Sequence, residues 1–215
     1  MKILIFGASG MTGKHLIDAA LAHGHEVRAF GRNVFEQLST ERSHLELFKG
    51  YLFTDSDIKK ALKGVDAVLS AIGGTTDGGN RTRSLGMKKI VAGMEKRGPK
   101  RIIGIGGKSI LNAEVDEEDG SVTYVYQTPG FPKKYKAVAL EHLKAFQHLE
   151  SSSLDWTFVC PPLILDEKAT GKYNTNCNFP AEGRDEINAG DIAEFMMDEL
   201  KKDDFLKCRV GIAAI

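Results

Sequence analysis

Three glycines at intervals of three residues, Gly7, Gly10 and Gly13, lie near the start of the chain. They follow the apolar run Lys2–Phe6, which is typical of a strand buried on both faces, and they lead into a helical spacing of apolar residues at 12–23. A helix that begins directly after a strand directs unpaired N–H groups and a partial positive charge at the turn, and glycines let a phosphate come close. The spacing departs from the Gly-x-Gly-x-x-Gly of the usual dinucleotide pattern. Its context nevertheless favours a pyrophosphate site over a plain tight turn.

The end of the second predicted strand, at residues 26–30, distinguishes two nucleotide cofactors. An acidic residue there would bond the ribose hydroxyls of NAD, whereas an arginine would neutralise the 2′-phosphate of NADP. This chain has Arg32 at that place, and no Asp or Glu occurs between Val27 and Val34. A guanidinium can bind phosphate through two parallel hydrogen bonds. The sequence therefore predicts NADP(H) in preference to NAD(H), with a solvated loop arginine as the alternative.

Composition argues against several other classes of protein. The 215 residues are 42% hydrophobic and 27% charged, as in an ordinary globular domain, and 29 basic residues balance 29 acidic ones. Cys160, Cys177 and Cys208 lack CxxC spacing, which argues against a disulfide framework and a zinc site and suits a reducing compartment. The opening apolar run is too short for a signal-peptide core or a membrane span. We therefore expect a cytoplasmic protein that acts on a small molecule and has no metal, no nucleic acid and no membrane as a partner.

Strand and helix patterns alternate along the chain. Strands are predicted at residues 2–6, 26–30, 45–48, 67–70, 101–105 and 156–159, and helices at 12–23, 55–63, 81–96, 134–149 and 191–200. This alternation indicates a doubly wound, mainly parallel sheet, and a chain of this length fits one hydrophobic core. We therefore expect an α/β protein with a single Rossmann-like domain, residues 1–215. Residues 112–132 are predicted to be the longest loop, and long loops are often functional.

Several segments of the chain match one family. They are residues 2–32, 66–75 and 154–162, followed by the turn Thr170-Gly171-Lys172-Tyr173. In these segments the chain resembles atypical short-chain dehydrogenases/reductases of the NAD(P)H-binding, NmrA-like group, and most closely the flavin reductase/biliverdin-IXβ reductase family. The Pro161-Pro162 step and the Thr-Gly-x-Tyr turn are more discriminating than the glycines. The resemblance implies an enzyme that binds NADPH in an extended groove and passes hydride to a flavin, a tetrapyrrole or a quinone-like acceptor stacked on the nicotinamide.

The resemblance also implies roles for individual residues. The pyrophosphate would contact residues of the glycine turn, namely Gly7, Ser9, Gly10, Met11, Thr12 and Gly13, and the 2′-phosphate would contact Arg32. The adenosine would lie against Ala71, Ile72 and Gly73. The nicotinamide would lie against two segments at the strand ends, namely Ile105, Gly106 and Gly107, and Pro161, Pro162 and Leu163. The acceptor site is expected between C-terminal loops at about 107–132 and 161–186. His142 stands where flavin and biliverdin reductases also tend to carry histidine, so it is the candidate to touch the acceptor or to supply a proton near neutral pH. A partly exposed helix histidine is the alternative.

At two positions the chain departs from the family pattern, and the sequence leaves two interpretations for each. The family commonly has Ser or Thr at the end of the strand 101–105, where this chain has Gly106 and Gly107. Either Ser109 supplies the hydroxyl from a shifted loop, or backbone N–H groups meet the acceptor instead. Tyr51 stands where relatives often have Asp, and it either stacks on adenine or packs locally.

The Tyr-x-x-x-Lys pair of typical short-chain dehydrogenases is not in register, because Ala139 lies four residues after Tyr135. Carbonyl reduction by that mechanism therefore finds no support. We expect instead an NADPH-dependent flavin-type reductase with Ser109 and His142 as the catalytic candidates, acting as a monomer or a weak homodimer. The alternative is a sensor like the NmrA-type regulators, which binds the dinucleotide without turning it over. A nucleotide-sugar epimerase or dehydratase ranks last, since it usually needs the missing pair.

Overall fold

The computed structural model describes residues 1–39, 41–75, 77 and 79–215. Its strands are β1 (Lys2–Phe6), β2 (Glu26–Gly31), β3 (Leu45–Lys49), β4 (Ala67–Ser70), β5 (Arg101–Ile105), β6 (Asn112–Val115), β7 (Val122–Tyr124), β8 (Asp155–Cys160), β9 (Leu163–Leu165), β10 (Tyr173–Cys177), β11 (Glu186–Asn188) and β12 (Cys208–Ala214). Its helices are α1 (Met11–Ala22), α2 (Val34–Gln37), α3 (Asp55–Ala61), α4 (Thr82–Arg97), α5 (Lys136–Glu150) and α6 (Ala189–Lys202).

Eight strands form the central sheet, in the order β10-β12-β8-β5-β4-β1-β2-β3. All neighbours in it are parallel except β10, which pairs antiparallel with β12. The predicted doubly wound, mainly parallel Rossmann-like sheet is thereby confirmed. The chain reverses its direction of winding between β1 and β4, and ligands of open α/β sheets bind at the carboxyl ends of the strands at such a point. The glycine turn that follows β1 lies there.

The first strand shows why the sheet is buried on both faces. Successive side chains of a strand point to opposite faces. Ile3 and Ile5 belong to one buried cluster, which α1 and α6 cover, whereas Leu4 and Phe6 belong to a second cluster beneath α3, α4 and α5. All four side chains are fully buried. A continuous apolar run is what such a strand requires.

The elements predicted from the sequence are present, with ends shifted by no more than two residues. The sequence patterns missed the buried strand β12, because Arg209 and Gly211 interrupt its apolar run. Arg209 is buried. Its guanidinium donates hydrogen bonds to the Ile110 carbonyl oxygen and to Asn112 Oδ1, and it lies over the rings of Tyr124 and Phe146, so these contacts compensate for its burial. The neighbouring strand β10 was missed because it is a polar edge strand.

Two smaller sheets lie outside the central one. Strands β6 and β7 form an antiparallel hairpin, and β9 pairs in parallel with β11. The expectation of one long irregular loop over residues 112–132 was therefore wrong in part, because these residues contain the hairpin and a short 3-10 turn. The Asn112 N–H donates to the Asn178 carbonyl oxygen at 2.8 Å, which ties the hairpin to the turn after β10.

Cys177 and Cys208 form a disulfide, contrary to the argument drawn from cysteine spacing. Their Cα atoms are 5.8 Å apart although 31 positions separate them in the chain. Antiparallel pairing of β10 and β12 sets Cys177 opposite Val210, two residues from Cys208, and sequence spacing does not reveal this register. Cys160 is free and buried, and burial raises the pKa of its thiol to about 12. Within the described residues, no helix is both long enough and apolar enough to span a bilayer.

Candidate functional site

The glycine turn is shaped by close backbone contacts that only glycine allows. Gly7 has a φ of 77°, and a Cβ atom there would lie 2.4 Å from the Ala71 carbonyl oxygen. A Cβ atom on Gly13 would lie 2.1 Å from the Gly7 carbonyl oxygen. The Gly10 N–H donates to that same oxygen at 3.0 Å and closes the turn. The sequence therefore folds locally into a tight turn packed on the end of β4.

The first turn of α1 is suited to an anion. Among the described residues no side chain caps its N-terminus, and its first turn contains no acidic residue. The N–H groups of Met11, Thr12 and Gly13 precede the first intrahelical bond, in which Lys14 donates to the Gly10 carbonyl oxygen. Unpaired N–H groups with the positive end of a helix dipole bind phosphate groups well. A dinucleotide pyrophosphate therefore fits this cradle, which a side chain at Gly7 or Gly13 would fill.

Ser9 and Arg32 lie at the side of the turn nearest β2. Ser9 Oγ is 3.8 Å from the position of a Cβ on Gly31, the last residue of β2. Arg32 follows directly and is exposed, and within the described chain it forms no ion pair. Its position at the carboxyl end of β2 is where an adenosine ribose lies in this class of fold. The guanidinium is thus available to a 2′-phosphate. Tyr51 is 53% exposed near the same edge.

The segment after β4 forms the other wall of the turn. The Ala71 N–H donates to the Phe6 carbonyl oxygen at 2.9 Å, which continues the pairing of β4 with β1. Beyond Ile72 and Gly73, the Arg83 guanidinium donates to the carbonyl oxygens of Gly74 and Thr75 at 3.2 and 3.0 Å. Burial lowers the pKa of Arg83, and the Glu141 carboxylate opposes that shift. Arg83 therefore anchors this segment.

A second group of predicted residues meets at the ends of β5 and β8. The Gly106 N–H donates to the Val159 carbonyl oxygen at 2.7 Å, and the Lys108 N–H donates to the Pro161 carbonyl oxygen at 2.8 Å. A Cβ atom on Gly106 would lie 2.6 Å from the Phe158 ring. The chain after β5 therefore runs directly beside Pro161.

His142 of α5 packs against the other glycine of this edge. A Cβ atom on Gly107 would lie 3.2 Å from His142 Nε2, so a side chain at 107 would press on the imidazole. Burial lowers the pKa of His142 to about 3, with a further contribution from the charge of Arg83, and its Nδ1 is buried without a hydrogen-bond partner. The expectation of an imidazolium that supplies a proton near neutral pH does not fit this environment. A neutral imidazole can still donate one hydrogen bond.

Ser109 lies in the 3-10 turn Lys108–Ile110 and is partly exposed. Its neighbour Lys108 forms an ion pair of 2.5 Å with Asp185, which joins the segment after β5 to the segment before β11. Leu163, where β9 begins, is 63% exposed, an unusual exposure for a leucine. The two segments expected to form the acceptor site therefore touch each other, and they leave an apolar side chain open at their edge.

The Thr170–Gly171 turn is held by a residue that the sequence did not single out. Asp191 of α6 is fully buried. It accepts hydrogen bonds from the N–H groups of Thr170 and Gly171, both at 2.7 Å, and from Thr170 Oγ1 at 3.0 Å. The only hint of this role in the sequence is that Asp191 stands in the first turn of a predicted helix, where a carboxylate can accept hydrogen bonds from backbone N–H groups. Asp166 lies a few residues before this turn, and its Oδ1 is 2.9 Å from Nε2 of His15. Because His15 belongs to the first turns of α1, Asp166 lies beside the glycine turn.

The predicted residues thus form two groups along one edge of the sheet. The glycine turn, Ala71 and Gly31 lie together at β4, β1 and β2, whereas Gly107, Pro161 and His142 lie at β5 and β8. The end of β5 is three strands from the end of β2, or roughly 14 Å at about 4.8 Å per strand. Only an extended ligand could contact both groups. Among the described residues, no three His, Cys, Asp or Glu side chains are arranged to hold a metal ion.

Comparison with known proteins identifies the family. A family model described as NAD(P)H-binding matches residues 7–203, which is nearly the whole chain. The chain belongs to the NAD(P)H-binding family. The matched region begins at Gly7, the first glycine of the turn, and therefore includes both groups of predicted site residues.

Three relatives cover the NAD(P)H-binding chain almost completely. The uncharacterized protein YwnB of Bacillus subtilis is 32% identical over 94% of this chain and 92% of its own. A solved "putative exported protein" from Burkholderia pseudomallei is 32% identical with a TM-score of 0.83, and a solved "putative NADH-flavin reductase" from Streptococcus pneumoniae is 27% identical with a TM-score of 0.80. Both structures match over 100% of each chain. The chain is therefore similar to an oxidoreductase as well as to proteins of unstated activity.

Proposed function

We propose that this protein is an NADPH-dependent reductase that passes hydride to a flavin or another flat conjugated acceptor, such as a tetrapyrrole or a quinone. The observation that carries the proposal is the pairing of a tight glycine turn after β1 with a second group of residues, Gly106, Gly107 and Pro161, at the ends of β5 and β8, which lie two and three strands away. The similarity to a protein described as a flavin reductase supports the choice of acceptor.

The cofactor side of the site would be held mainly by backbone groups. N–H groups of the first turn of α1 bind the pyrophosphate, with Ser9 beside them, while Arg32 binds the 2′-phosphate and so favours NADPH over NADH. Ala71, Ile72 and Gly73 flank the adenosine. Bound NADPH supplies the hydride, and the protein contributes orientation and exclusion of water.

The acceptor is proposed to lie at the ends of β5 and β8, where Gly106 and Gly107 let Phe158 and His142 pack close to the backbone. There it would stack on the nicotinamide contacted by Ile105 and by the segment Pro161, Pro162 and Leu163. Ser109 and the neutral imidazole of His142 are the hydrogen-bond donors proposed to meet the acceptor. A donor aligned with the position where charge develops stabilises the transition state.

The proposed unit of function is a single domain, residues 1–215, whose acceptor site is formed by residues 107–132 and 161–186. Each chain then carries a complete site, which is consistent with a monomer or a weak homodimer. Lys108 and Asp185 join the two acceptor-side segments at 2.5 Å. Their ion pair is exposed, so it would tolerate opening of the site to admit an acceptor.

The proposed location is the cytoplasm, where a reductase finds a supply of reduced cofactor. Two observations weigh against it: the Cys177–Cys208 disulfide is typical of oxidising compartments, and one solved relative is described as a putative exported protein. Thiol alkylation in acid-quenched cells separates the cases. Reduced Cys177 in a cytoplasmic fraction supports the proposal, whereas a secreted or periplasmic protein contradicts it.

The experiment that tests the function separates binding from turnover. The purified protein is titrated with NADPH and with NADH by fluorescence, and the absorbance of the reduced cofactor is then followed as riboflavin, flavin mononucleotide and a quinone are added separately. Tight binding of NADPH with acceptor-dependent oxidation supports the reductase. Tight binding without oxidation of any acceptor contradicts it and favours a regulator that senses the dinucleotide.

A further inference from the structure

A groove between α3 and α4 has no role in the proposed function. Its volume is about 1170 Å³, slightly above the roughly 300–1,000 Å³ of small-molecule sites. It lies between residues 55–64 and 85–96, on helices that cover one face of the sheet, whereas the proposed nucleotide site lies at the strand ends. We call it the lysine groove.

The residues of α4 that face the lysine groove form a regular stripe. They are Leu85, Lys88, Lys89, Ala92, Gly93 and Lys96, which follow one another at the three- and four-residue spacing of a single helix face. Residues of α3 and the turn after it supply the opposite wall with the same mixture of apolar and lysine side chains. Both helices therefore present lysine stems and short apolar groups to one furrow.

The floor of the lysine groove is apolar, and the two helices touch at one point along it. Ile58 and Leu62 of the opposite wall are buried beneath it, and Leu85 is 39% exposed at one end. A Cβ atom on Gly93 would lie 2.8 Å from Ile58 Cγ2 and 3.0 Å from Leu62 Cδ1. Because the two helices touch at this point, a third helix cannot enter between them. The furrow suits a thin chain better than a peptide helix.

The charges of the lysine groove are not balanced. Lys89 is paired with Asp55 at 2.7 Å. Within the described residues, Lys59, Lys63 and Lys96 form no ion pair, and all three lie toward the carboxyl-terminal ends of α3 and α4. Like charges that line one groove repel one another, and a bound anionic group relieves that repulsion. The whole chain carries no formal net charge, so this concentration of cations is local.

We propose that the lysine groove binds an anionic amphiphile: a linear apolar chain with a carboxylate or phosphate head. The head lies among Lys59, Lys63 and Lys96, and the chain follows the apolar floor toward Leu85. Along α4, Lys96 and Leu85 are eleven residues apart, about 16 Å at ~1.5 Å per residue. That length accommodates an alkyl chain of medium length.

The test uses the full-length protein and dansylaminoundecanoic acid, a fluorescent fatty acid. Its emission is titrated with protein, and dodecanoate, dodecyl phosphate and the methyl ester of dodecanoic acid are then added as competitors. The variant Lys59→Gln/Lys63→Gln/Lys96→Gln removes the head site, and Ala92→Trp fills the furrow. The matched control Lys100→Gln/Lys136→Gln/Lys144→Gln removes the same charge from exposed lysines outside both the groove and the proposed acceptor site. NADPH affinity and melting temperature report whether each variant folds normally.

The proposal expects saturable binding of one probe per chain, displacement by both anions and not by the ester, and at least tenfold weaker binding in both groove variants with the control unchanged. Equal loss in the control triple variant would overturn it, because a general cationic surface would then explain the binding. Stoichiometric displacement by NADPH would also overturn it, since the probe would then occupy the nucleotide site. So would a dimer that dissociates on probe addition, because a second copy would then cover the groove.

Discussion

Replacing Gly13 by alanine tests whether the glycine turn holds the cofactor as described. Alanine is normally the better residue inside a helix by up to about 1 kcal/mol, so propensity alone predicts a more stable protein. The structure predicts the opposite, because the new Cβ would lie 2.1 Å from the Gly7 carbonyl oxygen and 2.8 Å from two atoms of Ala8. These neighbours are backbone atoms, which no side-chain rotation can move.

The expected size of the effect follows from that distance. The turn must open by about 1 Å before the contact resembles the 3.2 Å at which a Cβ on Gly10 would meet the same oxygen. Such a shift misaligns the N–H groups at the start of α1. Loss of two hydrogen bonds to phosphate, at about 1.5 kcal/mol or more each, weakens NADPH binding by roughly 100-fold or more.

The assay is a fluorescence titration of NADPH against the wild-type protein and the variants Gly13→Ala and Gly10→Ala, with thermal melting measured beside it. Gly10→Ala is the milder change in the same turn, because its Cβ has one close neighbour, at 3.2 Å, and its φ of −73° suits any residue. We expect less than a tenfold effect from it. A Gly13→Ala protein that binds NADPH within threefold of the wild type would refute the description of the turn.

Three further predictions concern other parts of the chain. Arg32→Gln should raise the dissociation constant for NADPH by about 10- to 100-fold and leave that for NADH unchanged, since only NADPH has the 2′-phosphate; equal losses for both cofactors in paired titrations would contradict this role. His142 has a pKa of about 3 in the folded chain and an ordinary value near 6.5 when unfolded, so the unfolded state takes up its proton first and stability falls as the pH drops from about 6.5 toward 3. His142→Gln should flatten urea-denaturation stability against pH in that window, and an unchanged slope would show that the imidazole is not buried as described. Reducing the Cys177–Cys208 disulfide should lower the free energy of unfolding by about 3–4 kcal/mol for a 31-residue separation; thermal melting with and without dithiothreitol measures it, and a Cys177→Ser/Cys208→Ser variant that still responds to dithiothreitol would exclude this bond as the cause.

Local signals made the beginning of the chain predictable. The strand β1, the turn and α1 are adjacent in sequence, and their apolar and glycine positions carry the structure without reference to distant residues. Arg32 could be placed for the same reason, because it directly follows β2. The parallel arrangement of the sheet followed from the alternation of strand and helix patterns, since parallel strands need helical crossovers.

Long-range partners account for what the sequence missed. Asp191 holds the Thr170–Gly171 turn from about 20 residues away, and no local pattern pairs a helix carboxylate with that turn. The Cys177–Cys208 bond depends on the antiparallel register of β10 and β12. His142 owes its lowered pKa to burial and to the charge of Arg83, which lies on another helix. Packing decides each of these features, so spacing along the chain could not.

A single-turnover reaction tests the central claim most directly. Protein in excess over NADPH is mixed rapidly, without oxygen, with flavin mononucleotide or a quinone, and the absorbance of the reduced cofactor is followed. The proposed function predicts stoichiometric oxidation at a rate well above that without protein, which Gly13→Ala abolishes. Bound NADPH that stays reduced in the presence of every acceptor would contradict it.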